Sequence, residues 1–218
     1  VLKNKKKKIL IVLRNPVKAA QAHYFFSMNG GLEMESFEKS FDLEEKRIIN
    51  SDIEYRSNSY FSRGLHYDQI KKCYDLFGKE NVKIITYEEY IINRQKTINE
   101  ICDFISIDRI KIPQVLEGTR ISTMVRSKYL NYIIKKNGKK IRKVLPTRIH
   151  SIFSIWYGKI NHKNYSVDEI DLSPQFLDKL ACYFNQDIEK VEKLIERKLG
   201  YRIAVSYTHL RAHETPEH

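Results

Sequence analysis

Residues 8–16 read Lys-Ile-Leu-Ile-Val-Leu-Arg-Asn-Pro, an apolar run of strand length that ends at Pro16. A continuous apolar run of this kind predicts a strand buried on both faces of a parallel sheet. Pro16 fits the first turn of a helix, where its missing N–H group costs nothing. We expect that helix to pass Tyr24 and to stop near the Asn-Gly-Gly sequence at residues 29–31.

The same alternation continues along the chain. Apolar spacing predicts helices over residues 36–49, 65–77 and 97–105, and a second strand over residues 82–86. Residues 50–63 are polar and predict a loop. Because strands alternate with helices, we predict an α/β protein with a parallel sheet flanked by helices.

The C-terminal part of the chain is predicted to be helical. Short helices are expected over residues 107–164, with one break at the Asn-Gly pair that ends in Gly138 and another at Pro146. The clearest helix begins after Ser173, a natural N-cap that is followed by a proline. Its apolar stripe is long, and Gly200 is expected to end it.

Composition limits the class of protein. A chain of 218 residues suffices for one domain with a real core. The net charge is +12 and the pI is about 9.4. A basic surface suits an anionic partner such as a nucleotide, nucleic acid, an acidic glycan or a lipid headgroup, although lysines also serve solubility alone.

The cysteines and the hydropathy of the chain indicate its cellular location. Cys73, Cys102 and Cys182 stand far apart, without metal-site or redox spacing, and each lies in an apolar-periodic stretch. We therefore predict three buried free thiols, which fits a reducing compartment. No apolar run approaches the length of a membrane span. The expected location is cytoplasmic, with a membrane-peripheral location as the alternative.

The last segment, residues 204–218, differs in composition from the rest. It holds three histidines, no lysine and almost no apolar periodicity. Residues 204–215 match the translation of a transposase sequencing adapter, so we exclude the segment from fold reasoning and predict that it is disordered. The alternative is a genuine His-rich tail that binds metal.

The end of the first predicted strand is the candidate site. Ligands of open α/β sheets bind beyond the carboxyl ends of the strands. Arg14 lies at such an end, and the helix that begins at Pro16 presents free N–H groups there. A guanidinium beside a helix N-terminus can hold a phosphate. The alternative is that Arg14 pairs with a nearby carboxylate.

This stretch resembles the 3′-phosphate-binding segment of sulfotransferases, in which a buried strand is followed by Arg-Asn-Pro or Arg-Asp-Pro and then a helix. Further similarities follow in the family's order, at residues 35–38, 63–67, 82–89 and in the terminal helix. The resemblance is greatest to bacterial carbohydrate and heparan-type enzymes. It implies that residues 1–203 are the C-terminal portion of one sulfotransferase domain, with a partial P-loop-like parallel sheet.

The resemblance also assigns residues. It implies that Arg14 holds the 3′-phosphate of the donor, 3′-phosphoadenosine-5′-phosphosulfate (PAPS). The family's helix Ser falls on Ala22, which cannot donate a hydrogen bond, so weaker donor binding is expected. Lys163 and Arg126 are two further candidates for contacts with the nucleotide. For both, a solvated surface cation is the alternative.

The family's 5′-phosphosulfate loop and its catalytic Glu or His precede the Arg-Asn-Pro strand, and the residues before Lys5 cannot supply them. We therefore expect no catalytic residue and no metal site in this chain, and no activity from it alone. The parent enzyme is expected to transfer a sulfuryl group to a hydroxyl or amine of a carbohydrate or glycolipid acceptor.

Two other functions remain open at this point. The first is a non-enzymatic basic module that binds a nucleotide or another polyanion. The charge and the tyrosines support it, but no nucleic-acid motif is present, so nucleic acid is not an expected partner. The second is a relative of the nucleotide kinases, which share the fold class but which the sequence around Arg14 fits less well.

Overall fold

The structure is a computed structural model that describes residues 7–50, 52–112, 122–144, 147–165 and 170–204. The chain divides into two compact units. The first unit comprises Val1–Pro16, Leu65–Gly118 and Leu172–His218, and the second comprises Val17–Gly64 and Thr119–Asp171. The proposed adapter segment lies, from residue 205 onward, outside the described residues, so its disorder stays a prediction.

The described residues form a mixed α/β structure that is mostly helical. The strands are β1 (Ile9–Leu13), β2 (Val82–Thr86), β3 (Ser122–Val125) and β4 (His162–Tyr165). The helices are α1 (Pro16–Gly30), α2 (Phe37–Asn50), α3 (Asp52–Asn58), α4 (Tyr67–Phe77), α5 (Tyr87–Ile92), α6 (Arg94–Ile105), α7 (Lys128–Val144), α8 (Thr147–Asn161) and α9 (Pro174–Ile195). The predicted α/β class with a parallel sheet is confirmed.

The sheet of the first unit pairs β1 with β2 in parallel, and Leu13 lies opposite Thr86 at its carboxyl end. Alternate side chains of a strand point to opposite faces. Leu13 is buried, whereas Leu10 and Val12 on the other face are 40% and 53% exposed. The expectation that β1 is buried on both faces is therefore wrong: within the described residues, only one face is covered.

Helix α9 supplies much of the core of the first unit. Ser173 caps it by accepting a hydrogen bond from the N–H group of Phe176 at 3.3 Å, as the sequence predicted. Its buried apolar stripe comprises Phe176, Leu180, Phe184, Ile188 and Val191. The helix ends before Gly200, because Glu196 adopts the left-handed conformation (φ 55°).

A carboxylate of α9 fixes the start of α4. Asp187 accepts hydrogen bonds from the backbone N–H groups of His66 at 2.8 Å and Tyr67 at 3.2 Å. These N–H groups have no partner within α4 itself, because the first turn of a helix leaves its donors unpaired. The contact therefore stabilises α4 and anchors it to α9.

Two buried carboxylates organise the second unit. Glu44 accepts three backbone N–H groups, from Tyr60 at 2.7 Å, Phe61 at 2.8 Å and Ser62 at 2.7 Å. Glu33, which is 1% exposed, pairs with Arg47 at 2.7 Å. Both carboxylates hold the segment after α2 against the aromatic core of this unit, which comprises Tyr24, Phe25, Phe37, Tyr60 and Phe61.

Several local expectations are wrong. Residues 50–63 were expected to form a loop, but α3 lies within them, and the carbonyl oxygen of Ser57 in α3 accepts a hydrogen bond from Ser27 at 2.5 Å. The break expected at Gly138 is absent, because α7 continues through it. The break expected at Pro146 falls between α7 and α8, outside the described residues.

The cysteines are free, but only one of the three is buried. Cys102 is buried, Cys73 is partly exposed and Cys182 is exposed. Cys182 follows Leu180 of the apolar stripe by two residues, which is about 200° around a helix, so it faces solvent. The expectation of three buried thiols is therefore wrong for Cys73 and Cys182.

Candidate functional site

The candidate site lies at the carboxyl end of the parallel sheet. Leu13 and Thr86 form the last pair of β1 and β2. The next residues, Arg14 and Tyr87, therefore lie side by side just beyond the two strands. The guanidinium carbon of Arg14 lies 4.7 Å from the centroid of the Tyr87 ring. The face of an aromatic ring attracts a cation, so Tyr87 helps to hold Arg14 at this edge.

The guanidinium of Arg14 is not neutralised by a carboxylate within the described part of the chain. Its Nε atom is buried and has no hydrogen-bond partner there. A buried donor left unsatisfied costs roughly 1–3 kcal/mol. The alternative of an internal ion pair at Arg14 is thus not observed, and the cation retains its capacity to bind an anion.

Two further polar atoms of the first unit are also buried without a hydrogen-bond partner among the described residues. They are Oε2 of Glu88 and the hydroxyl of Tyr201. Burial raises the pKa of Tyr201, and the negative charge of Glu88 raises it further. Unsatisfied buried polar groups are rare in folded proteins and call for an explanation such as an absent ligand or water. Arg14 and Glu88, which follow the two paired strands, therefore each keep a buried polar atom that could bind a further polar group.

The other oxygen of Glu88 supports the segment that carries Arg14. Oε1 of Glu88 accepts a hydrogen bond from the backbone N–H of Asn15 at 3.1 Å. Glu88 lies in the first turn of α5, directly after β2. The start of α5 thus fixes the backbone immediately after Arg14.

A capping box explains why α5 begins there. The Thr86 hydroxyl accepts a hydrogen bond from the N–H of Glu89 at 3.1 Å, and the Glu89 carboxylate accepts one from the N–H of Thr86 at 2.9 Å. Burial by itself would raise the pKa of Glu89, but these hydrogen bonds and Arg197 outweigh it and hold that pKa below its usual range. Helix α5 was not predicted from the sequence, although the Thr-x-x-Glu pattern that begins at Thr86 is typical of a capping box at a helix start.

The other two predicted nucleotide contacts belong to the second unit. Lys163 lies in β4 opposite Met124 of β3, and Arg126 follows β3. Both side chains are exposed. Arg126 is held through its backbone, whose N–H donates to the carbonyl of Asn161 at 2.7 Å.

A pocket of about 330 Å³ in the second unit includes Lys163 in its lining, together with Tyr24, Phe37 and Met124. It also includes Lys128, which the sequence analysis did not single out. Nζ of Lys128 donates to the Tyr24 hydroxyl at 2.6 Å and to the carbonyl of Glu35 at 2.6 Å. Burial lowers the pKa of Lys128, and this effect outweighs the negative charges of Glu33 and Glu35, which act to raise that pKa.

Comparison with known proteins identifies the family. The described residues form a mixed α/β structure with the guanidinium of Arg14 at the carboxyl end of its parallel sheet. The sulfotransferase domain family matches residues 1–154, which is more than half of the chain. The chain belongs to this family.

A solved structure supports the same fold. The sulfotransferase from Alicyclobacillus acidocaldarius is similar with a TM-score of 0.57 at 23% sequence identity. The match covers 88% of this chain and 56% of that chain, so this chain spans little more than half the length of that protein. No curated protein matched the sequence.

Proposed function

We propose that the chain is part of a PAPS-dependent sulfotransferase and that Arg14 binds the 3′-phosphate of the donor. The observation that carries this proposal is the guanidinium of Arg14 at the carboxyl end of β1, which lies over Tyr87 and forms no ion pair with any residue that the structure describes. Membership in the sulfotransferase domain family supports a phosphate of a sulfonate donor as this anion. Lys163 and Arg126 remain candidates for further contacts with the nucleotide.

The proposed reaction joins an acceptor oxygen or nitrogen to the sulfur of PAPS. The bond between sulfur and the bridging oxygen breaks, and adenosine-3′,5′-bisphosphate leaves. Cations and N–H groups must meet the charge on the leaving phosphate, and a base must take the acceptor proton. In the family, the loop and base that do this precede the Arg-Asn-Pro strand. We therefore propose that these 218 residues bind the bisphosphate but do not turn over PAPS.

The pocket beside Lys128 is our candidate for the acceptor. Its volume is about 330 Å³, within the usual range for small-molecule sites. Apolar walls from Phe37 and Met124 and polar groups from Lys128 and Tyr24 suit a sugar ring with hydroxyl groups. A carbohydrate or a glycolipid headgroup is accordingly the proposed acceptor class.

The donor proposal is tested by isothermal titration calorimetry with adenosine-3′,5′-bisphosphate. We expect saturable binding that Arg14→Ala weakens by at least tenfold, since a hydrogen-bonded charge is worth about 1.5–3 kcal/mol. Arg94→Ala is the matched control, because Arg94 also lies over a tyrosine ring, that of Tyr90, at 5.8 Å. Equal affinities of the wild type and Arg14→Ala would reject the assignment.

The alternative function, a basic module for any polyanion, is favoured by the net charge of +12. It predicts binding that is weakened steeply by salt, that does not distinguish the bisphosphate from heparin, and that is indifferent to Arg14→Ala. The same titrations, repeated at two salt concentrations and with heparin, therefore separate the two functions.

A further inference from the structure

Helices α7 and α8 carry large apolar side chains on a surface that faces solvent. On α8 these are Ile149, Ile152, Ile155, Trp156 and Ile160, with exposed fractions between 46% and 68%. On α7, Tyr129 is 68% exposed and Ile133 is 37% exposed. These seven residues form the outer face of α7 and α8. Apolar patches of this extent mark an interaction site when they are contiguous.

The inner face of the same helices is polar. Asn131 of α7 is fully buried, and Tyr157 and Asn161 of α8 are buried as well. The Tyr157 hydroxyl donates to Oδ1 of Asn131 at 2.7 Å, and Nδ2 of Asn161 donates to the Tyr157 hydroxyl at 2.8 Å. The two helices are therefore joined by hydrogen bonds between polar side chains.

Helix geometry places Ile133 and Ile152 opposite the buried asparagines. Asn131 and Ile133 are two residues apart, which is about 200° around the helix. Asn161 and Ile152 are nine residues apart, which is about 180° around the helix. A helix of a water-soluble domain ordinarily buries its apolar stripe and exposes its polar one. In the described parts of α7 and α8, Asn131 and Asn161 are buried while large apolar side chains face solvent, so the outer face is suited to a second apolar environment.

The charge of this region is entirely of one sign. Residues 128–161 contain nine lysines and arginines and no aspartate or glutamate. The basic residues are Lys128, Lys135, Lys136, Lys139, Lys140, Arg142, Lys143, Arg148 and Lys159. A partner that matches this region therefore offers both an apolar environment and negative charge. The surface of a bilayer that contains anionic lipid provides both.

We propose that the outer face of α7 and α8 binds the surface of an anionic lipid bilayer, with both helices lying in the interface. None of the helices in the described ranges is long and apolar enough to cross a membrane, and an interfacial position does not require that length. Trp156 suits this position, because its ring is apolar and its N–H group is polar.

Two other partners fit less well. In a symmetric dimer through this face, two basic segments that contain no acidic residue would be brought together, which is repulsive. Nucleic acid would satisfy the cations, but its phosphates offer nothing to Ile152 and Ile155. The bilayer surface satisfies both features of the face, and this inference does not depend on the function of Arg14.

Trp156 is the only tryptophan of the chain, so its fluorescence reports directly on this face. The 218-residue chain is mixed with phosphatidylcholine vesicles that contain or lack 30% phosphatidylglycerol, and binding is followed by co-sedimentation and Trp156 emission. With phosphatidylglycerol we expect a blue shift, quenching by brominated acyl chains and binding at least tenfold tighter than to pure phosphatidylcholine. Because charge contributes, high salt should weaken the binding.

Matched variants test the apolar contribution. Ile152→Asp and Ile155→Asp are expected to weaken vesicle binding by at least tenfold. Ile92→Asp, at an isoleucine of the first unit that is 76% exposed, is expected to leave it unchanged. All these side chains face solvent, so circular dichroism should show the wild-type fold.

Four results would overturn the proposal. The first is unchanged Trp156 emission in anionic vesicles, and the second is equal vesicle binding by Ile152→Asp and the wild type. The third is a Trp156 blue shift without lipid that accompanies dimer formation in analytical ultracentrifugation and is abolished by Ile152→Asp. That third result would assign the face to a second copy, and the fourth, a shift produced by an RNA oligonucleotide but not by vesicles, would assign it to nucleic acid.

Discussion

Oε1 of Glu88 accepts a hydrogen bond from the backbone N–H of Asn15 at 3.1 Å. The contact joins the first turn of α5 to the residue that follows Arg14. Replacing Glu88 by Ala should let this backbone move and weaken binding of adenosine-3′,5′-bisphosphate about threefold to tenfold, since a hydrogen bond of this kind is worth about 1 kcal/mol. Calorimetry measures the effect. Glu100→Ala, in an exposed ion pair of the same unit, is the control and should not change the affinity.

A substitution at position 22 is expected to strengthen ligand binding. The family's phosphate-binding Ser corresponds to Ala22, so Ala22→Ser should strengthen bisphosphate binding about twofold to tenfold, the value of one neutral hydrogen bond. Ala19→Ser lies on the same helix and should have no effect. If both variants bind like the wild type, the correspondence drawn for position 22 is mistaken.

Glu44 should be essential for the stability of the second unit. Its carboxylate accepts three backbone N–H groups and is buried, so Glu44→Ala leaves Tyr60, Phe61 and Ser62 without their acceptor. We expect the free energy of unfolding in urea to fall by about 3 kcal/mol. The exposed neighbour provides the comparison: Glu45→Ala should change the free energy by less than about 0.5 kcal/mol. A similar loss in both variants would contradict this role for Glu44.

Glu33 should make the second unit sensitive to acid. Burial by itself would raise the pKa of Glu33, but hydrogen bonds from Arg47, the Glu35 backbone and Tyr60 outweigh it and hold that pKa below its usual value. The unfolded chain then binds the proton more readily than the folded one. The stabilisation is complete above the unfolded pKa of about 4.3 and is lost as the pH falls through the lower folded value.

Urea unfolding between pH 3 and 7 measures this effect. The free energy of unfolding should fall more steeply below about pH 4.3 in the wild type than in Glu33→Gln, which cannot titrate. At pH 7 the variant should be less stable by about 3 kcal/mol, because Arg47 loses its buried partner. An unchanged acid slope in Glu33→Gln would show that other carboxylates account for the pH dependence.

The elements that the sequence predicted well are those set by local chemistry. The apolar run before Arg14 gave β1, and Pro16 gave the start of α1. The end of α1 was also predicted, because Gly31 adopts a left-handed conformation (φ 73°) that glycine tolerates. Ser173 gave the start of α9 by capping it. In each case the deciding atoms lie within a few residues of one another.

The elements that the sequence predicted poorly depend on distant partners. The segment after α2 has a polar sequence, yet α3 forms there, and Ser27 of α1 donates a hydrogen bond to the carbonyl of Ser57 within it. Helix α7 was expected to break at Gly138, but part of it is held by Asn131, which donates to the backbone carbonyl of Met28 at 2.8 Å. Such contacts join residues far apart in the chain, so no local pattern announces them.

By itself the sequence determined a cation at the end of a β-strand and a helix that begins just after it. Only the tertiary structure decided what surrounds that cation. The parallel pairing of β1 with β2 places Tyr87 against Arg14 and Glu88 against Asn15. Strand register is fixed by the packing of whole elements rather than by adjacent residues, and this is why these partners became visible only in the fold.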